Sequence, residues 1–206
     1  RSFFEDLYPD ELSVVGDVGR KRATVGKLGV TGSAVTVPGG ISGGALDFTL
    51  GRMDYRNYAA EFWSSSDLSN SAGAFFITGW QLNHEQQLLH GFSVFAQARG
   101  QFTNKNLDVS QKFYTGGPSA VRAYDVGAGA VDDGAVMTGE LRWSRSLPAT
   151  AWTGSSPKFI SGAFWDYGTG RQNHNNSVSG NLLSADNQVQ LSGGGVYAGF
   201  ISGSYN

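Results

Sequence analysis

Apolar side chains recur at every second position in this sequence, over stretches longer than soluble strands usually reach. From Phe92 to Gln101, one face reads Phe92, Val94, Ala96 and Ala98, and the other Ser93, Phe95, Gln97, Arg99 and Gln101. From Ala135 to Ser144, Ala135, Met137, Gly139, Leu141 and Trp143 alternate with Val136, Thr138, Glu140, Arg142 and Ser144. Leu46, Phe48 and Leu50 alternate with Ala45, Asp47, Thr49 and Gly51. Successive side chains on a strand point to opposite faces, so each run reads as a strand apolar on one side and wet on the other. Eight such runs are expected, at about 23–35, 41–53, 72–83, 91–102, 108–115, 135–146, 158–169 and 188–202. Globular strands average about 5–6 residues, whereas a tilted membrane-crossing strand needs about 9–11. No stretch keeps a clean helical period. The expected fold class is all-β: an antiparallel transmembrane β-barrel with about eight strands in this chain.

Composition narrows the function classes. Gly makes up 30 of 206 residues, roughly 15% and about twice the usual share. Lys+Arg 15 against Asp+Glu 17 leaves a formal charge of -2, without the basic excess of a nucleic-acid binder. Aromatic residues at 13% argue against a disordered chain. Absence of cysteine excludes a disulfide scaffold and thiolate chemistry. The longest apolar patch, around Ala74 to Trp80, is interrupted by Thr78 and Gly79 and falls short of the roughly 18 residues of a membrane helix. Trp80, Trp143 and Tyr167 lie near run ends, as an aromatic girdle requires, although core aromatics of a soluble β-domain would give the same pattern.

Catalytic constellations are poor. There is no G-x-S-x-G, and His84-Glu85 lacks the second His of H-E-x-x-H. Asp132-Asp133-Gly134 lacks the further oxygen ligands of a calcium loop and reads as an Asp-Gly turn. No catalytic, metal or cofactor-binding residue is expected, and the chain is not read as an enzyme. Val37-Pro38-Gly39-Gly40 and Asn104-Lys105-Asn106 read as tight turns, and Arg171 to Asn187 as an exposed polar loop. Thr115 to Gly134 is a long Gly- and Ala-rich connection of the kind that carries function. Asp54 to Ser71 is long where alternation of short and long connections calls for a short turn. Residues 1–206 read as a single domain without internal repeats. The start at Arg1 and the end at Asn206, just after a strand-like run, suggest a fragment of a longer polypeptide.

The informative stretch runs from Leu107 to Asp125. It breaks at Gly116-Gly117-Pro118 and then presents Arg122 between Val121 and Ala123-Tyr124. A buried arginine in such a setting needs an anionic partner, whereas a solvated one does not. The pattern F-x-x-G-G-x-x-x-V-R-[GA]-[YF], formed by Phe113, Gly116, Gly117, Val121, Arg122, Ala123 and Tyr124, resembles the two-partner secretion transporters. These TpsB or haemolysin secretion/activation proteins share a superfamily with the bacterial barrel-assembly proteins. Ala123 stands where that superfamily more often has Gly. The similarity extends through Gly100-Gln101, Leu107-Asp108 and Ser110 to Phe113, and through Asp133-Gly134 and Gly139 to Arg142. A second motif, F-x-D, is met by Phe164-Trp165-Asp166, so the likeness is strongest over about residues 85–170.

This resemblance implies a pore in the outer membrane of a Gram-negative bacterium, an expected sixteen-stranded barrel preceded by two POTRA domains, of which this chain carries none. It implies a secreted exoprotein substrate of the hemolysin or adhesin type, lipid as surroundings, and no cofactor. Loop 115–134 would fold into the lumen and bring Arg122 to Asp166. Phe164 and Asp166 share parity with Gly162 and Gly168, opposite to Phe159, Ala163, Trp165 and Tyr167, which puts the carboxylate inside. Gln97, Arg99, Gln101, Thr138, Glu140 and Arg142 are the expected lumen-facing residues. A barrel-assembly insertase and a soluble secreted β-sandwich binding glycans or proteins are the alternative readings.

Overall fold

Long strands dominate the computed structural model, which describes residues 2–5, 21–55, 69–148, 156–178 and 181–201. In chain order they are β1 (Ser2–Glu5), β2 (Lys21–Val37), β3 (Gly40–Tyr55), β4 (Gly73–Gln87), β5 (Phe92–Thr103), β6 (Phe113–Tyr114), β7 (Ala130–Val131), β8 (Asp133–Ser146), β9 (Lys158–Arg171), β10 (Ser177–Val178), β11 (Asn181–Leu182) and β12 (Gln188–Ile201). One antiparallel sheet runs β1-β2-β3-β4-β5-β8-β9-β12, every strand beside its sequence neighbour once the short pairs β6-β7 and β10-β11 are set aside. Apart from β1, its strands hold 12 to 17 residues, enough to cross a bilayer at a tilt.

The alternation in the sequence becomes two faces with opposite chemistry. Cross-strand registers line up Leu28 with Phe48, Leu46 with Trp80, Ala98 with Met137 and Leu141 with Ala163. These residues share the outer face, where Leu28, Leu50, Leu82, Leu141, Trp165 and Val196 stand exposed. A soluble sheet would bury such a band; in a barrel, lipid covers it. Phe92, Trp143, Phe159 and Phe200 form a ladder across β5, β8, β9 and β12 with ring centroids 5.1–6.4 Å apart. The ladder lies near one edge of the apolar band, where a membrane girdle belongs. Of the expected girdle residues, only Trp143 belongs to it. Trp80 sits in the middle of β4, stacked on Phe102, and Tyr167 stacks on Trp165.

Three expectations need correction. Run 108–115 is not a strand of the sheet: Val109–Gln111 is a short 3-10 turn and Phe113–Tyr114 pairs only with Ala130–Val131. It lies on the inner face instead, with Val109 and Ser110 exposed and Gln111 to Tyr114 half-buried. The long connection therefore extends from 104 to 132 rather than over 115–134, since Asp133 and Gly134 already belong to β8. Asn104-Lys105-Asn106 starts that connection and is not a hairpin turn. Removing the false strand also restores the alternation that Asp54 to Ser71 seemed to break. The β2-β3, β4-β5 and β8-β9 connections lie at one end of the sheet. The β3-β4, β5-β8 and β9-β12 connections lie at the other, where the longer loops gather. Of the β3-β4 connection, residues 56–68 lie outside the described residues, as do both chain ends. Barrels of this kind turn tightly on the periplasmic side and loop out toward the cell surface, which orients the sheet.

The core lies on the inner face. Ala23, Met53, Phe75 and Ile77 from β2, β3 and β4 are buried under Leu107 of the long connection, with Val25 and Tyr55 packed against them. The sheet thus uses one of its own loops as the second layer that its inner face requires.

A charge on the outer face should therefore be costly and one on the inner face tolerated. Met137→Lys, well away from the Trp143 ladder, is expected to destabilise the complete protein by about 2–4 kcal/mol in denaturant titrations from lipid vesicles. Gln97→Lys should stay within about 0.5 kcal/mol.

Candidate functional site

The long connection is a hairpin that bends back over the inner face. Pairing of Phe113 with Val131 and Tyr114 with Ala130 zips its two arms. The Thr115 and Gly116 N–H groups continue the ladder by donating to the Gly129 and Ala128 carbonyls. Beyond Gly116 the chain must turn within a few residues. Gly117 takes a φ of +112°, which L side chains rarely adopt, and its N–H donates to the Val121 carbonyl. Val121 N–H donates back to Thr115, and Tyr124 N–H to Val121. This knot of main-chain bonds fixes the direction in which Arg122 leaves the tip.

Two neighbours seat the tip on the wall. Val121 is fully buried against Gly168 of β9. Ala123 lies on Gly193 of β12, so close that a Cβ there would come within 2.5 Å of the alanine methyl. The smallness of residue 123 is therefore a packing requirement. Tyr124, the last motif residue, is partly exposed.

Arg122 is bound from three sides. Its Nε and Nη2 donate to Oδ2 and Oδ1 of Asp166, both at 2.8 Å, as a bidentate fork. Arg122 N–H adds a third bond to Asp166 Oδ2 at 3.1 Å. Thr138 Oγ1 donates to Asp166 Oδ1 at 2.9 Å, so this wholly buried carboxylate has all its bonds within the protein. Arg122 Nη1 donates to Glu140 Oε1 at 2.6 Å. The guanidinium carbon lies 3.5 Å from the centroid of the Phe164 ring. Beyond it, Arg142 Nε donates to Glu140 Oε2 at 2.7 Å and its guanidinium covers Phe95. Two arginines and two carboxylates thus alternate along the inner face of β8 and β9, with Glu85 of β4 3.5 Å from Arg142.

The structure brings together Arg122, Phe164 and Asp166, and puts Gln97, Arg99, Gln101, Thr138, Glu140 and Arg142 on the same inner face. Arg99 donates to the Ser119 carbonyl at the loop tip, and Gln101 to the Gln111 and Asp132 carbonyls. Several of these residues, read from alternation as a generic polar lining, are therefore contacts of the loop. Sequence reading missed that Glu140 is the second acid on Arg122. Its parity with Thr138 and Arg142 was the only available signal. Among the described residues, no group of three or more His, Asp or Glu side chains is placed to hold a metal ion.

Comparison with known proteins agrees with this geometry. Residues 46–191 match the family described as Haemolysin secretion/activation protein ShlB/FhaC/HecB. The chain belongs to this family. Haemolysin secretion/activation proteins are outer-membrane transporters of Gram-negative bacteria, which explains the lipid-facing band. The heme/hemopexin transporter protein HuxB of Haemophilus influenzae strain 86-028NP is 28% identical over 205 residues, covering 99% of this chain and 35% of HuxB. HuxB of strain Rd is 30% identical over 179 residues, covering 82% of this chain and 30% of that protein. A further Haemophilus influenzae HuxB is 35% identical over 133 residues, covering 60% of this chain and 22% of that protein. The chain thus spans about a third of the length of these curated relatives. No solved structure matches it.

Removing Arg122 leaves the wholly buried Asp166 carboxylate without its counter-ion, at a cost of about 3–5 kcal/mol, whereas removing Asp166 leaves Arg122 paired with Glu140 but without its fork. The first cost exceeds what a hairpin tip gains from Val121 and Ala123 alone. Arg122→Lys keeps the charge but not the fork. Both Asp166→Ala and Arg122→Lys are therefore expected to make the tip cleavable at a protease site placed at Gly127, in intact cells. Conservative Thr138→Ser should leave it protected.

Proposed function

We propose that this chain forms part of the wall, and the whole inserted loop, of an outer-membrane pore that translocates an unfolded exoprotein in two-partner secretion. The observation that carries this reading is the Arg122 hairpin on the inner face of a lipid-facing sheet, held by Asp166 and Glu140. A wall alone needs no inserted loop. A loop seated by charge-assisted bonds beside a polar lining is suited to occupy a conduit at rest and to change place when a chain passes.

The chemistry of the lining fits a moving, unfolded substrate. Gln97, Arg99, Gln101, Thr138, Glu140 and Arg142 mix both charges with neutral amides, and Phe95 and Phe164 among them lie under the guanidinium groups of Arg142 and Arg122, so a polypeptide meets little apolar surface to stick to. No nucleotide or cofactor enters the mechanism; folding of the exported chain outside the cell gives the transfer its direction. Lipid surrounds the barrel and nucleic acid is no partner. POTRA domains in the complete protein would receive the substrate on the periplasmic side, and strands beyond this chain would close the barrel toward sixteen. The relatives' name points to a heme/hemopexin-linked exoprotein as the first cargo to test, beside hemolysin- and adhesin-type proteins.

Secretion into the medium is the test. Arg122→Ala and Asp166→Ala, each in the complete protein, are expected to reduce secretion of the cognate exoprotein strongly while the barrel still inserts and resists heat. Normal secretion by both variants would overturn the proposal.

A further inference from the structure

The Asp132-Asp133 pair takes no part in the bonds to Arg122, yet it is the most densely bonded acidic pair described. Asp132 has a side chain with no exposed surface. Its Oδ1 accepts from Lys112 Nζ at 2.7 Å and from Leu107 N–H at 3.2 Å, and its Oδ2 from His174 N–H at 2.9 Å. Leu107 and Lys112 lie on the descending arm of the hairpin, Asp132 on the returning arm, and His174 in the connection between β9 and β12. One carboxylate therefore ties both arms of the hairpin to the neighbouring cell-surface loop. Its main chain is fixed as well, since Asp132 N–H donates to the Arg171 carbonyl at 2.9 Å and its carbonyl accepts from Gln101.

Neighbouring acids brace the same level. Asp133 accepts from Thr103 N–H at 2.9 Å and Arg171 Nη2 at 2.8 Å, and bonds His174 Nδ1 at 2.8 Å. Asp108 pairs with Lys21 of β2 at 3.1 Å and accepts from the Tyr55 hydroxyl of β3. Burial pushes the Asp132 carboxyl above its ordinary value, against the pull of Lys112 and the two N–H groups. At Asp108, burial pushes the same way, but bonds from Ser110 and Lys21 outweigh it and hold that carboxyl below its usual range.

We propose that Asp132 is the root pin of the inserted loop, a positioning residue that holds the two arms together at the outer mouth independently of Arg122. The hairpin is then a tethered tongue with two unequal attachments. At the root, a carboxylate without exposed surface is held by three donors from two segments. At the tip, Arg122 keeps about a quarter of its side-chain surface in water. Neither Asp132 nor Asp166 has exposed surface, but Arg122 keeps more of its side chain in water than Lys112, 26% against 14%, so the tip exchanges first while the root stays. Through His174, displacement of the β9-β12 loop is passed to the hairpin. The placement stands on geometry alone; only its consequence for secretion rests on the proposed pore.

Spin-label distances in the complete protein, reconstituted in lipid vesicles, test this. Cysteine is absent from this chain, so within it the two introduced labels of each pair are the only ones. Val109→Cys reports the root and Val126→Cys the tip, each paired with Leu82→Cys on the outer face of β4. Arg122→Ala is expected to abolish the narrow tip distance and leave the root distance narrow. Asp132→Ala should abolish the narrow root distance and leave the tip distance narrow. Lys112→Met, which removes one partner from a less buried position, should broaden the root distance alone and decides the matter if Asp132→Ala does not fold. A root distance left narrow by Asp132→Ala and Lys112→Met would overturn the proposal, as would equal loss of both distances in Arg122→Ala. Secretion is scored separately. Unimpaired export by both Arg122→Ala and Asp166→Ala would remove the pore reading and leave the root distances to decide the pin.

Discussion

The fork between Arg122 and Asp166 is the interaction on which the site depends. A hairpin spanning 104–132 has a large entropy to lose on lying against a wall, and its tip offers little apolar surface in return. Charge-assisted bonds in a shielded space supply what packing does not, because each is stronger than a neutral bond and specific in direction. Thr138 and the Arg122 N–H complete the coordination of Asp166, so no polar atom there is left to draw the loop back into water. Glu140 then shares the guanidinium with Asp166 and takes a bond from Arg142, which links the tip to the lining of the next strands.

The same bonds set limits on the wall. Gly168 and Gly193 lie where the tip approaches, and any side chain there would push Val121 or Ala123 away. Phe164 lies flat beneath the guanidinium, opposite Gly195 across the β9-β12 pair. Small residues on the inner face are thus a record of the loop's footprint. Bulky apolar residues stand on both faces: inner ones such as Met53, Phe75 and Phe164 lie under the loop, whereas outer ones face lipid and need no partner element.

Much of the fold was legible in the sequence because a strand's period of two is written directly into polarity. Seven of the eight expected runs are strands within a few residues, and parity put Phe164 and Asp166 on the inner face without coordinates. The eighth run failed for a physical reason. Residues 108–115 mix apolar and polar side chains as a short strand would, but Val109–Gln111 closes a 3-10 turn and Phe113–Tyr114 pairs with the other arm of the hairpin, which local pattern does not distinguish from a strand of the sheet. Counting it as a strand then displaced the expected order of long and short connections. The motif around Arg122 was legible as a resemblance; its partner set was only half legible, since Glu140 looked like any other polar lining residue.

Local chemistry, then, was decided by sequence: which faces are oily, where the chain breaks, that one arginine needs an acid. These depend on neighbours two to ten residues apart. What the tertiary structure alone decided were the long-range coincidences. Arg122 meets an acid 44 residues away and another 18 away, and Asp132 gathers donors from 107, 112 and 174. Such contacts are fixed by strand register and by the path of the hairpin across the sheet. A carboxylate that ends as a buried pin has the same residue type and spacing as one that ends a turn. Only the arrangement of donors around it tells them apart.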